Sequence, residues 1–258
     1  MIKPQDVIKL SESLFQNTEA CLRKQLCYLY HAIDYFGWCD LIFTHLSVRL
    51  PGTDTFLFNP FGLSFSEITP DNIVKVNFNG EVDSPDGWPI NKNGSKAHIA
   101  IYKARPDVQC IIHTHSKATV AISNLDVPVM GLDQITMFLH SNVSYHGFER
   151  LFTFDDEQKQ MVSDLGKNDF MILNNHGSIA LGDSVPRAFW NYYYLQFACE
   201  TQLMSLSSGA KLKNPPDEIK LSTGEKYKEW KKSHSILPPD DVLLFLATIR
   251  KMEAARAK

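Results

Sequence analysis

Seven consecutive residues, Cys110-Ile111-Ile112-His113-Thr114-His115-Ser116, constrain this chain more than any other stretch. The apolar run before the histidines predicts a strand over 108–115. Side chains alternate along a strand, so His113 and His115 leave from one face. Two imidazoles projecting side by side can grip one metal ion, if the chain supplies a third ligand and a pocket.

His176 is the candidate third ligand. It follows a buried strand at Phe170–Leu173 and is itself followed by Gly177, which lets the backbone turn away and leaves room beside an ion. All three histidines fall at or near the end of an apolar strand, where side chains converge when strands share a sheet. A lone histidine reads as an ordinary one. A His-x-His pair joined by a strand-end His-Gly reads as a ligand set with an open position. Three neutral imidazoles suit zinc, iron(II), cobalt or nickel. Zinc is the default, acting as a Lewis acid that polarises a carbonyl or stabilises an enediolate oxygen. Elsewhere, His31 lies on an apolar helix, and His140, His146 and His234 form no pattern. His98 lies on a helix that could reach the site.

The 258 residues are 44% hydrophobic and 21% charged, enough for one sizeable core. A net charge of -3 and a pI of about 6.3 give no basic excess to attract nucleic acid. No apolar run is long enough to cross a bilayer, and no apolar core of a signal peptide follows Met1-Ile2-Lys3-Pro4. Five cysteines at irregular spacing, without C-x-x-C, read as reduced thiols of a cytoplasmic protein.

Helical spacing predicts a short helix over 4–14 and a longer one from Asn17 or Thr18 to Phe36, with Leu22, Leu26, Leu29 and Ile33 on one face. Strands are predicted over 41–49, 55–59 and 73–78, the last paired with Glu81-Val82 around the turn Asn79-Gly80. Ser95 is expected to cap a helix running through His98 to Ala104. Further helices are expected over 116–123, 155–165 and 184–207, the last rich in aromatics, whereas 127–145 reads as either strand or loop. The main domain is expected to span 1–208. Residues 209–258 read as a linker and a helical tail, with segments over 222–234 and 240–257. The apolar face of 242–252 would dock on the body or on a neighbouring subunit.

His113-x-His115, Ala104-Arg105-Pro106-Asp107-Val108 and Asn175-His176-Gly177, in that order, resemble the class II aldolase/adducin family over roughly residues 18–207. The resemblance implies a three-layer α/β/α fold around a mostly antiparallel sheet. It implies one divalent metal ion held by His113, His115 and His176, a small sugar or sugar-phosphate-like substrate, and a homo-oligomer, commonly a tetramer, with the site near a subunit interface. Three family positions differ here. Gly94 stands where aldolases carry the acid/base glutamate. Thr44-His45-Leu46-Ser47-Val48-Arg49 replaces the phosphate-cradling Gly-Asn-x-Ser-x-Arg. An assisting tyrosine would fall near Leu132. The Thr-His-x-Ser and Asn-x-x-Gly signatures resemble the adducin-like bacterial branch. Without the glutamate, His45 and His98 become the candidates for moving a proton, and Ser47, Arg49, Asn91 and Ser95 for substrate contacts. Three readings follow from the resemblance: an aldolase-like lyase forming an enediolate, a non-haem iron oxygenase on the same scaffold, and a non-catalytic adducin-like binding protein.

Overall fold

The computed structural model describes residues 3–84, 86–148, 155–230 and 238–257. His234 and the predicted end of the 222–234 helix lie outside these residues, as do Met1 and Ile2. Helix α1 (Pro4–Leu14) and helix α2 (Glu19–Tyr35) open the chain. The Thr18 hydroxyl accepts the Cys21 N–H and starts α2, and Gly37 at φ +71° ends it.

A meander follows: β1 (His45–Arg49), β2 (Thr55–Phe58), β3 (Val74–Asn77) and β4 (Val82–Asp83). β3 and β4 pair across Asn79-Gly80, as the turn residues predict. β1 is shorter than the predicted 41–49 strand. Leu41 (φ +49°) and Thr44 (φ +82°) take left-handed backbone conformations that no strand can contain.

Then come α3 (Lys92–Ala104), β5 (Cys110–Thr114), α4 (Lys117–Ser123), β6 (Val143–His146), α5 (Asp155–Leu165), β7 (Phe170–Leu173) and β8 (Gly177–Gly182). Most of the ambiguous 127–145 stretch is irregular, with a 3-10 turn at Met137–Leu139 before β6 begins. The chain ends in α6 (Val185–Ser207), α7 (Asp217–Trp230) and α8 (Asp240–Arg256).

The strands form one sheet in the order β4-β3-β2-β1-β5-β8-β7-β6, antiparallel except for the β6–β7 pair. Alternation splits its side chains between two cores. Leu46, Val48, Leu57, Cys110, Ile112 and Ile172 face α2, α6 and α8. Phe56, Phe58, Ile111, Met171, Ile179 and Leu181 face α3 and α5. Each fully buried Leu or Phe contributes about 1.5–3 kcal/mol. The result is the three-layer α/β/α arrangement expected from the sequence, with a central sheet antiparallel throughout but for one pair.

The tail docks on the body. Phe245, Leu246, Ile249 and Met252 of α8 join the α2/α6 core, and the Phe245 ring lies 5.3 Å from Phe189 and 6.1 Å from Phe15. No helix among the described residues is long and apolar enough to cross a membrane.

Candidate metal centre

The site lies on the α3/α5 face, at one end of the central strands. Leu46 and Val48 belong to the opposite core, so His45, Ser47 and Arg49 point toward α3. In the β1–β5 register His45 pairs with His113, which places the two rings side by side, 4.8 Å between centroids. His115 follows β5 by one residue. His176 sits in the tight β7–β8 turn, where its N–H donates to Leu173 O and Asn175 takes φ +56°. Asn175 anchors that turn by donating its N–H to Ser123 O. Gly177 serves close approach rather than a special dihedral. A Cβ there would lie 2.5 Å from Thr114 O and 3.2 Å from the His115 ring.

The three predicted ligands come together. Their donor atoms all lie within 4.8 Å of one another. His115 Nε2 is 3.1 Å from His113 Nε2 and 2.9 Å from His176 Nε2. Metal–nitrogen bonds of about 2.0–2.1 Å separate neighbouring donors by roughly 2.9–3.4 Å, so this spacing fits a single small cation. The far nitrogens set the tautomers. His113 Nδ1 donates to Ser178 O at 3.1 Å, and His115 Nδ1 donates to Asp40 Oδ2 at 3.1 Å. Both protons are thereby placed away from the cluster and both Nε2 lone pairs point into it. Burial holds His113 well below the usual histidine range. Burial, then the neighbouring His115, lowers His176 to about 4. Neutral imidazoles are the form a metal needs.

A cavity of about 220 Å³ opens beside the cluster. Its walls mix the histidines with Phe43, Met161, Leu173 and Ile179, and Phe148 stands half-exposed at its edge. His45 and His98 also line it. His45 Nδ1 meets His98 Nε2 at 2.8 Å, and His98 Nδ1 meets Ser47 Oγ at 2.6 Å. Ser47 Oγ in turn meets the Tyr102 hydroxyl at 2.7 Å. Burial lowers His45 to about 3, with His115 and His176 adding to the shift, and holds His98 well below its usual range.

The four residues considered for substrate contacts divide. Asn91 lines the cavity, and its side chain accepts the Gly94 N–H, so Asn91 rather than Ser95 caps α3. The helix therefore starts earlier than expected. Ser95 lies inside its first turn and donates to Lys92 O. Ser47 is buried against His98 and Tyr102. Arg49 stacks on Tyr102 (4.7 Å) and Phe78 (5.4 Å), donates to Tyr102 O and Arg105 O, and lines a separate cleft with Asp107 and Asp183.

Gly94 has a steric reason. A Cβ there would lie 2.2 Å from His45 Nε2, so the imidazole fills the space a side chain at 94 would need. Three residues went unnoticed in the sequence. Asp40, which fixes His115, sits in a turn before β1 and carries no local signal. Tyr102, which ends the His45 chain, reads as an ordinary core aromatic. Thr44 combines φ +82° with a buried Oγ1 that has no hydrogen-bond partner among the described residues. Its one signal was that it replaces the glycine of the family's Gly-Asn-x-Ser-x-Arg.

Fold and site together define a three-layer α/β protein with a partly buried three-histidine cluster at the end of its sheet. The model of the Class II Aldolase and Adducin N-terminal domain matches residues 24–203, and the chain belongs to that family. It is 41% identical over 199 residues to PA3430 of Pseudomonas aeruginosa, named provisionally as an aldolase class 2 protein, with 76% of each chain covered. It is 34% identical to alpha-adducin of Rattus norvegicus over 88% of its own length, but spans only 31% of that protein. An aldolase II superfamily protein from Pseudomonas syringae superimposes with a TM-score of 0.84 at 34% identity, covering 95% of this chain and 96% of the other.

Proposed function

We propose that this chain is a metal-dependent, aldolase-like carbon–carbon lyase acting on a small oxygenated substrate of the sugar or sugar-phosphate kind. The observation that carries the reading is the convergence of three Nε2 atoms with the His113 and His115 Nδ1 protons held outside the cluster. A divalent ion there, zinc by the donor set with iron(II) also compatible, would supply a Lewis acid for a substrate carbonyl. His113, His115 and His176 would hold it, while Asp40 and Ser178 O keep two of those rings in place. The apolar wall of Met161, Leu173 and Ile179 keeps the inner cavity poor in water. His45 and His98 are the groups placed to hold or move a proton beside the substrate. In this reading the protein works in the cytoplasm as a homo-oligomer, a tetramer by analogy with its family, with no nucleic acid or membrane partner.

A second reading, a non-catalytic adducin-like binding protein, draws support from Gly94 at the glutamate position and from the similarity to alpha-adducin. Elemental analysis of protein purified without chelators tests the first reading. One tightly held divalent ion per chain is expected, and a metal-free protein sinks it. Metal-loaded protein that turns over none of a panel of aldehydes and sugar phosphates, with or without oxygen, would favour the binding protein.

A further inference from the structure

His45 stands where aldolases carry an asparagine, and its ring fills the space opposite Gly94, where they carry the glutamate. What its imidazole offers the cavity depends on which way a buried hydrogen-bond chain runs. The chain starts at His45 Nδ1 and passes through His98, Ser47 and Tyr102 at 2.8, 2.6 and 2.7 Å. At its far end the Tyr102 hydroxyl lies 3.2 Å from Gln109 O, a backbone carbonyl that can only accept.

Two proton arrangements are available to neutral rings. In one, Tyr102 donates to Gln109 O, Ser47 to Tyr102, His98 Nδ1 to Ser47, and His45 Nδ1 to His98 Nε2. Every link is made. In the other, each donor points the opposite way, and the partly buried Tyr102–Gln109 link is lost, leaving Gln109 O with the Arg49 N–H at 2.7 Å. Buried polar groups favour the arrangement that forms every bond. That arrangement protonates His45 at Nδ1 and leaves a bare lone pair on Nε2.

We infer that His45 Nε2 is a fixed hydrogen-bond acceptor for a hydroxyl of the substrate, in addition to the oxygens the metal would take. The inference rests on the lyase reading only for the identity of the ligand. The tautomer itself follows from the chain. Binding the hydroxyl involves no change of protonation; the resting ring is an acceptor held in one orientation. A second observation points to a ligand at the same wall. Thr44, the neighbour of His45, lines this cavity with a buried Oγ1 that no group among the described residues satisfies. Its backbone is held at φ +82°, a strained conformation for a β-branched residue. A substrate carrying a donor for His45 Nε2 and an acceptor for the Thr44 hydroxyl would complete both groups. The ligand class is therefore a carbonyl or carboxylate compound with at least one hydroxyl beyond those that chelate.

The test uses the full chain loaded with zinc. Long-range proton–nitrogen correlation of the imidazoles is expected to show His45 with a bare Nε2 and a protonated Nδ1. A protonated Nε2 overturns the inference. Ser47→Ala cuts the chain away from the cavity and is expected to give a mixture of His45 tautomers at unchanged zinc content. A single unchanged tautomer overturns the role of the chain. The ligand probes are lactate and glycerate, which share a chelating α-hydroxy acid and differ by one hydroxyl. The native protein is expected to favour glycerate roughly fivefold to tenfold. His45→Asn, the residue aldolases carry there, is expected to remove the preference while lactate affinity holds. A native protein without the preference, or a variant that keeps it, overturns the hydroxyl contact. If zinc does not bind, the metal reading fails, and the tautomer measured on the metal-free chain still decides this inference.

Discussion

Two groups of histidines meet at the same face of the sheet, with His45 in register opposite His113, and differ in what stands behind their rings. His113 and His115 give their Nδ1 protons to oxygen acceptors, a backbone carbonyl and a carboxylate, which frees their Nε2 atoms to converge. His45 and His98 bond to each other and then to hydroxyls, so their nitrogens are used in a chain. Residue type and setting are shared. The difference is made by what lies behind each ring. An oxygen acceptor behind His113 and His115 leaves the other nitrogen of each ring free to face a cation, whereas the imidazole behind His45 makes that ring one end of a hydrogen-bonded relay through His98 to Ser47 and Tyr102.

Removing one converging ring should break the comparison most completely. His176→Ala leaves two donors where a site with one open position needs three, and its zinc affinity is expected to fall by roughly a hundredfold or more. Competition with a chromophoric chelator measures this. The same substitution should leave the His45 tautomer unchanged, because His176 is not a link of the hydrogen-bonded chain from His45 through His98 and Ser47 to Tyr102. An equal loss of zinc in His98→Ala would remove the distinction between the two groups.

The glycines that serve the two groups sharpen it. Gly177→Ala puts a Cβ 2.5 Å from the backbone oxygen of Thr114, and backbone inside a sheet cannot yield locally. A loss of about 2–3 kcal/mol in denaturant unfolding is expected, at the upper end for overpacking. Gly94→Ala meets the tip of a side chain instead, His45 Nε2 at 2.2 Å, and should cost about 1–2 kcal/mol. Pairing it with His45→Asn should recover most of that loss. Additive costs in this double-mutant cycle would show that the ring at 45 and the missing side chain at 94 are not exchanging one space.

The sequence showed the ligand side of this comparison and hid the support. Strand alternation put His113 and His115 on one face, because period-two geometry decides which face a residue takes, and the place of His176 just after a buried strand and before Gly177 marked the third. Helix starts were legible at Ser116 and Ser184, where the cap stands alone, and to within one residue at α2, where Asn17 and Thr18 are both good caps. The start of α3 was not, since Asn91 and Ser95 are both good caps and only tertiary placement selects the first. The start of β1 was missed because Leu41 and Thr44 adopt left-handed conformations that their residue types do not advertise. Ser47 and Arg49 keep the family's residue types, yet their side chains bond to Tyr102 and to backbone oxygens. A one-dimensional motif fixes a residue's face but not its partner, and Asp40, 75 residues from His115, lay beyond any local pattern.

The smallest expected effect concerns that aspartate. Asp40→Asn keeps an oxygen that can accept the His115 Nδ1–H and removes only the negative charge behind the ring. If orientation is what separates the cluster from the relay, the amide should support it nearly as well. Zinc affinity would then fall by roughly tenfold at most, at the low end for a partner behind a ligand. The exposure of the Asp40 side chain, 48%, favours this outcome, because water screens its charge. Asp40→Ala removes the acceptor as well, and the additional loss relative to Asn measures orientation separately from charge. Equal losses in the two variants would mean that the carboxylate acts through its charge. The contrast between oxygen-backed and imidazole-backed rings would then be one of electrostatics more than of ring orientation.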